Sequence, residues 1–297
     1  MPTKQQQESL DYFDKHAQEW RSKADGNNAS TVNVIEERNN YVLNVAKERS
    51  CLTSCLDIGC GTGELVCEIG KLSVPAVGVD YSPEMIELAA SKAVAEAVPL
   101  AKFECCSVFD YESQPNSFDL ISANGFIEYI SVAELDQLLD KVSEALEPGG
   151  SFVVGSRNRL FNLFSMNKFT LEEVRQESGL QLFEEAVMWN GAKDLSNLPE
   201  LECAPLQPSD TEHSFTGIDV SRRFQYTPLQ LIGMLREKGF EAVEVYPVHI
   251  HGATPSFQLE NPATHTAVAN LLQTQARGRL EFLTHASTFM LHVRKES

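Results

Sequence analysis

The segment LDIGCGTGE at residues 56–64 constrains the fold of this chain more than any other. A short apolar run, CLDI at 55–58, meets a turn carrying Gly59, Gly61 and Gly63, and the chain then passes into ELVCEIGKL, which reads as a helix. Glycines here let the backbone turn sharply and approach a ligand closely, because none carries a Cβ. A dinucleotide fingerprint would need a glycine three places after Gly61. This chain has Glu64 there, a carboxylate at the helix start where a pyrophosphate would have to sit. The loop argues against NAD and FAD and suits a phosphate-free, cationic cofactor, whose ammonium Asp57 could favour directly or through water.

Strands and helices alternate from this point to about residue 156, the signature of a parallel sheet covered by helices. PAVGVD at 75–80 gives a second strand, after which Ser82 can cap a helix with Pro83 at its first position. A third strand is expected at 102–108 and a fourth at 118–123. The next helix has Ser131 and Glu134 at capping-box spacing and an apolar stripe of Leu135, Leu138, Leu139, Val142 and Leu146. Pro148, Gly149 and Gly150 should stop it before a fifth strand at 151–155. From 157 to 225 the pattern gives way to one helix, with Thr170 and Glu173 at capping-box spacing, and a loop punctuated by Pro199, Pro205 and Pro208. Such long irregular insertions are usually functional. Thr227, Pro228 and Gln230 then open a helix ending at Gly239, followed by strands at 241–248 and 287–294, with a further helix started by Asn261 and Pro262. Two helices, 5–20 and 32–48, precede the core. The division expected is a helical cap at 1–50, a cofactor-binding core at 51–156, an insertion or lid at 157–226, and the rest of the sheet at 227–297.

Asp80 closes the second strand, where a carboxylate can accept both hydroxyls of an adenosine ribose or stand as a solvated turn residue. LDIGCGTGE, VGVDYSPEMIELA, FDLISANGFIEYI and ALEPGGSFVV occur in order, and together they resemble the class I SAM-dependent methyltransferases (SAM, S-adenosyl-L-methionine) over about residues 50–156, more weakly through 227–248. The resemblance implies a doubly wound α/β fold, a seven-stranded, mostly parallel sheet with one antiparallel strand. It places SAM across the carboxyl ends of the first four strands. Gly59, Gly61 and Gly63 would line the methionine moiety, Asp80 would hold the ribose, and Tyr81 and Met85 would flank the adenine, Met85 being otherwise a packing residue. Many members carry an acidic residue after the third strand; here Cys106, Ser107 and Val108 stand at that place, which leaves adenine recognition to Ser107 or to backbone. Asn124 sits where the family contacts the methionine portion.

The activity implied is methyl transfer to a small molecule, an in-line displacement for which the protein mainly aligns a nucleophile and excludes water. Tyr129 stands in FIEYI where many small-molecule members have a histidine; it would orient substrate or face the sulfonium, or serve as a core aromatic. Arg157 and Asn158 follow the fifth strand where substrate contacts often arise, and Arg157 could pair a carboxylate or phosphate of the substrate or be a surface ion-pair partner. His249 and His251 alternate on a strand and so share a face. They are candidates for lining the substrate, against plain packing; no metal is expected there, since the nearby chain supplies no obvious further ligand. Tyr12, His16 and Trp20, at helical spacing, are either the underside of a lid or the packing stripe of their helix.

The net charge of −18 on 297 residues opposes binding to nucleic acid and to anionic membranes. No stretch approaches the roughly 18 apolar residues that span a bilayer, and the start has no apolar signal segment, so a cytoplasmic location is expected. Cys51, Cys55 and Cys60 match no zinc spacing and read as buried small side chains. Two other functions share the pocket: attack on the aminocarboxypropyl arm of SAM, for example cyclisation to azetidine-2-carboxylate with release of methylthioadenosine, and SAM binding without catalysis. The acceptor and the oligomeric state are left open.

Overall fold

β1 (Cys55–Ile58) is buried at every position and β4 (Phe118–Asn124) at all but its last, as in strands covered on both faces. They are the centre of a seven-stranded sheet in a computed structural model that describes residues 4–24, 32–196, 198–206 and 223–296. The other strands are β2 (Ala76–Asp80), β3 (Ala101–Cys105), β5 (Leu146–Arg157), β6 (Phe240–Ile250) and β7 (Ala286–Lys295), in the order β3-β2-β1-β4-β5-β7-β6. All pairs among β1 to β5 are parallel, and β7 runs antiparallel between β5 and β6. The expected sheet is therefore present. Its order reverses between β1 and β4, so the connections leaving their carboxyl ends diverge and open a crevice.

The helices are α1 (Lys4–Ala24), α2 (Val34–Glu48), α3 (Glu64–Lys71), α4 (Pro83–Ala95), α5 (Val132–Ala145), α6 (Phe161–Ser165), α7 (Lys168–Arg175), α8 (Gly179–Gly191), α9 (Pro228–Glu237), α10 (Pro255–Glu260) and α11 (Pro262–Gln273). Leu135, Leu138 and Val142 of α5 pack with Ile121 and Phe152 in one layer. In the other layer Val42 and Val45 of α2 and Leu65 and Ile69 of α3 pack with Leu120, Val153 and Met290. The expected caps form: Ser82 accepts from the Met85 N–H, and both Ser131 with Glu134 and Thr227 with Gln230 close reciprocal capping boxes.

The insertion differs from its expectation. Residues 161–191 hold three helices rather than one, and α7 is capped by Asn167, whose side chain accepts from Phe169, with Thr170 as the reciprocal partner. Glu173 takes no part in that cap. It is buried and receives Arg159 through two of its guanidinium nitrogens, at 2.9 and 2.7 Å, with Asn162 and Ser178 completing its hydrogen bonds. Pro208 lies outside the described residues. Two other expectations shift: β5 already begins at Leu146 and takes in Pro148, Gly149 and Gly150, which fall within an irregularity of its register with β4, and Cys51 is exposed while Cys55 and Cys60 are buried.

α1 lies over the carboxyl edge of the sheet and is tied to it by side chains. Gln5 donates to the Tyr129 carbonyl at 2.8 Å, Gln6 donates to Glu134 at 2.6 Å, and Asp14 accepts the Ser82 hydroxyl. Among the described residues no helix is long and apolar enough to cross a membrane.

Candidate functional site

A cavity of about 970 Å³ lies above the carboxyl ends of β1, β2 and β4, under α1 and α2. That volume is near the top of the range of roughly 300–1,000 Å³ for small-molecule sites.

The glycine turn divides its labour. Gly61 lines the cavity with φ +52°, and a Cβ there would meet nothing within 4 Å, so the space beside it is open for a ligand. Gly63, by contrast, does not line the cavity. It caps α3 with φ +79°, and a Cβ would come within 2.7 Å of both Ala89 and Phe103. It serves helix packing, and the structure does not bring it into the lining with Gly59 and Gly61 as its motif position suggests. Gly59, Asp57, Asp80, Tyr81, Met85, Ser107, Val108 and Asn124 all line the cavity, so this part of the expected site is assembled in one place.

At the acidic end of the cavity Glu64 pairs with Lys92 at 3.8 Å, but Asp57 and Asp80 are held by neutral donors. Asp80 accepts from the N–H groups of Gly61 and Ser82, both at 3.0 Å, and Asp57 accepts from the Ser122 hydroxyl at 2.6 Å. Neither carboxylate has a cationic partner within ion-pair distance among the described residues. Burial pushes Asp57 up to about 7, with the charges of Asp80 and Glu64 adding to it and Ser122 opposing; burial pushes Asp80 up to about 6 against its two N–H donors. Asn124 donates to Asn39 at 3.1 Å while its buried Oδ1 has no partner. Two under-compensated carboxylates, an unsatisfied amide oxygen and an open glycine turn fit a cofactor with an ammonium, a sulfonium and ribose hydroxyls, all of which SAM carries.

The other end is built around Glu128, which is 1% exposed and faces three guanidinium groups. Arg38 donates to it at 3.3 Å, Arg223 donates to its second oxygen, and Arg157 adds its field. Although burial disfavours the charged form, these arginines hold Glu128 below the usual carboxylate range. Burial, together with the charge of Arg223, brings Arg157 down to about 10. The Nε atoms of Arg157 and Arg223 are buried and have no partner among the described residues. Tyr129 lines the cavity with Arg223 over its ring, 5.0 Å from the centroid, and Phe13 edge-on at 5.1 Å. Burial raises its hydroxyl well above the normal value, so it stays protonated at neutral pH and can donate a hydrogen bond but not act as a base.

Tyr12 and Trp20 of α1 and His249 and His251 at the end of β6 also line the cavity. His16 does not; it stacks on Tyr12 with ring centroids 4.5 Å apart. Asn158 is likewise outside the lining. Its amide donates to the carbonyls of Leu283 and Ala286 and accepts from the Leu160 N–H, so it anchors the start of the insertion and is not placed to touch substrate. Sequence reasoning missed Arg38, Glu128 and Arg223, whose association crosses the sheet from α2 to the insertion. Glu128 lies within FIEYI, but nothing in the local sequence signals its burial among arginines.

A family model described as a methyltransferase domain matches residues 51–204. A ubiquinone biosynthesis O-methyltransferase of Nitrobacter winogradskyi is 34% identical over 133 residues, covering 43% of this chain and 49% of that protein; the chain spans about half the length of the curated relatives it matches first. Among solved structures, the [4+2]-cyclase SpnF matches with TM-score 0.61 at 18% identity over 99% of this chain and 97% of its own. An S-adenosylmethionine-dependent methyltransferase from Mesorhizobium loti matches with TM-score 0.52 at 16% identity, over 86% and 96%. At such identities these two likenesses carry the fold alone. The family-model match spans more than half of the sequence, and the sheet has the expected seven strands with one antiparallel to the rest: the chain belongs to the class I SAM-dependent methyltransferase family.

Proposed function

We propose that this chain transfers the methyl group of SAM to a small molecule carrying an anionic group, by in-line displacement. The observation that carries the reading is the polarity of this cavity, with Asp57 and Asp80 short of cationic partners at the glycine turn and the guanidinium groups of Arg38, Arg157 and Arg223 gathered around Glu128 elsewhere in its lining. Bound SAM supplies a methyl carbon on a sulfonium, from which the leaving thioether departs uncharged. Asp57 and Asn124 would hold the amino-acid end, Asp80 the ribose, and Ser107 or the adjacent backbone the adenine. Arg157, with Arg223, would grip a carboxylate or phosphate of the acceptor through N–H groups that have no other partner. Tyr129 would orient the acceptor by its hydroxyl, and Tyr12 and Trp20, carried on α1, would exclude water from the reacting atoms. The O-methyltransferase relatives favour oxygen as the attacked atom.

The test is turnover of SAM by the purified protein with a panel of carboxylated, phosphorylated and neutral hydroxy compounds, followed by identification of the nucleoside product. S-adenosylhomocysteine formed only with an anionic acceptor is expected. Methylthioadenosine released without any acceptor would show attack on the aminocarboxypropyl arm instead, and preference for neutral acceptors would remove Arg157 from substrate recognition.

A further inference from the structure

One cluster in the cavity wall has been given no role so far. His249 and His251 at the end of β6 meet His265 of α11, and one ring nitrogen from each lies within 4.8 Å of the others. His249 Nε2 and His265 Nε2 are 3.4 Å apart. Nitrogens about 2.0–2.1 Å from a tetrahedral zinc ion would be separated by about 3.3–3.4 Å, so this pair already has the spacing of two ligands. His251 is 3% exposed and neither of its ring nitrogens has a hydrogen-bond partner among the described residues. A buried imidazole with both nitrogens unsatisfied calls for a ligand.

The surroundings are arranged as ligand supports usually are. The Ser287 hydroxyl lies 3.0 Å from His249 Nδ1, which leaves Nε2 to face His265. His249 is a non-glycine residue at φ +55°, and it is held there by Gln273, whose carbonyl accepts the His249 N–H while its amide donates to Tyr246 and to the Pro247 carbonyl. Strained backbone over-determined in this way marks functional positions. Phe161 packs on His251 with ring centroids 4.5 Å apart. No fourth protein ligand joins the cluster among the described residues, and His249 and His251 border the cavity.

We infer that His249, His251 and His265 form a three-imidazole site for a divalent transition-metal ion, zinc by ligand type, with its fourth position opening into the cavity. Three protein ligands and one open position are the arrangement of catalytic rather than structural zinc. The three ligands are uncharged, so the full charge of the ion remains for an anionic donor, and the nearby Arg38 is offset by Glu128. An oxygen of the acceptor is the donor expected; that assignment rests on the methyl-transfer reading, whereas the metal site does not.

The experiment uses the full chain, treated with chelator and then titrated with Zn²⁺ against a chromophoric competitor and with Co²⁺ by visible absorption. One equivalent should bind, and the Co²⁺ form should show the intense bands of four-coordinate geometry. His265→Phe, which keeps the aromatic packing, should weaken Zn²⁺ binding by at least tenfold, and Ser287→Ala by about 10–100-fold as a second-sphere change. SAM affinity, measured alongside, should stay within about twofold in both, showing that the fold is intact and testing the cofactor site separately. Absence of stoichiometric binding by the wild-type chain would overturn the inference, as would undiminished binding in both variants. Neither result would touch methyl transfer, and failure of methyl transfer would leave the metal titration unchanged.

Discussion

Asp57→Asn should make the cofactor-free protein more stable while weakening its hold on SAM. The substitution is nearly isosteric, and the amide oxygen can still accept from Ser122. It removes a charge that burial disfavours. A rise from the ordinary 3.8 to about 7, at about 1.36 kcal/mol per pH unit, means that ionised Asp57 costs the cofactor-free fold ~4 kcal/mol. Because the folded-state value lies above the unfolded one, this penalty is absent below pH 4, grows as pH rises, and is complete above about pH 7. At pH 5 less than half of it is present. With about 2–4 °C of Tm per kcal/mol for a chain of this size, the variant should melt ~10 °C above wild type at pH 8 and ~4 °C above it at pH 5. Loss of the carboxylate–ammonium attraction should raise the Kd for SAM by about 10–100-fold at pH 8. Differential scanning calorimetry at the two pH values, with isothermal titration of SAM, measures both. A Tm difference that does not change with pH would refute the reasoning, because only a titrating charge produces that slope.

The two glycines should separate by phenotype. Gly61→Ala is expected to lower stability by about 1 kcal/mol through its positive φ and to lose SAM binding as the new methyl enters the cradle; Gly63→Ala should cost more than that in stability, from the contacts with Ala89 and Phe103, while folded protein at low temperature still binds SAM. Denaturant titration and calorimetry read the pair, and equal SAM affinities for the two would contradict the division. Glu173→Gln leaves Arg159 buried without its counter-charge and should destabilise by about 3–5 kcal/mol; a change below 1 kcal/mol in urea unfolding would show that the insertion relaxes around it. Arg157→Met should lower kcat/KM for an anionic acceptor by at least about tenfold without altering the SAM Kd, and an unchanged kcat/KM would argue that the acceptor's charge is held elsewhere.

Where chemistry is local in the chain, it was legible before the fold. The glycine turn, Asp80 at a strand end and the caps at Ser82, Ser131 and Thr227 each depend on residues a few positions apart, and each is where the spacing puts it. Reading by position failed where tertiary structure chose between equal local options. Gly63 belongs to the same motif as Gly61, yet helix packing takes the one and the cavity takes the other. Asn158 follows Arg157 directly, but its side chain meets carbonyls from residues 283 and 286, far along the sequence. Glu173 has a capping spacing, and Arg159 draws it inward instead. His265 lacked any signal, because only the packing of α11 against β6 brings it to His249.

The antiparallel β7 has a consequence for the order in which the molecule can be completed. It lies between β5 and β6 although it follows both in the chain, so during synthesis β6 has no neighbour in the sheet until β7 has emerged and slid into the gap. The glycine turn and its strands can assemble from residues made early. The wall that carries His249 and His251, and the contacts of Ser287 and Thr288 with His249 and Arg38, must wait for the final insertion. A nascent chain of this kind would be able to cradle its cofactor before it can present the other half of the cavity to an acceptor.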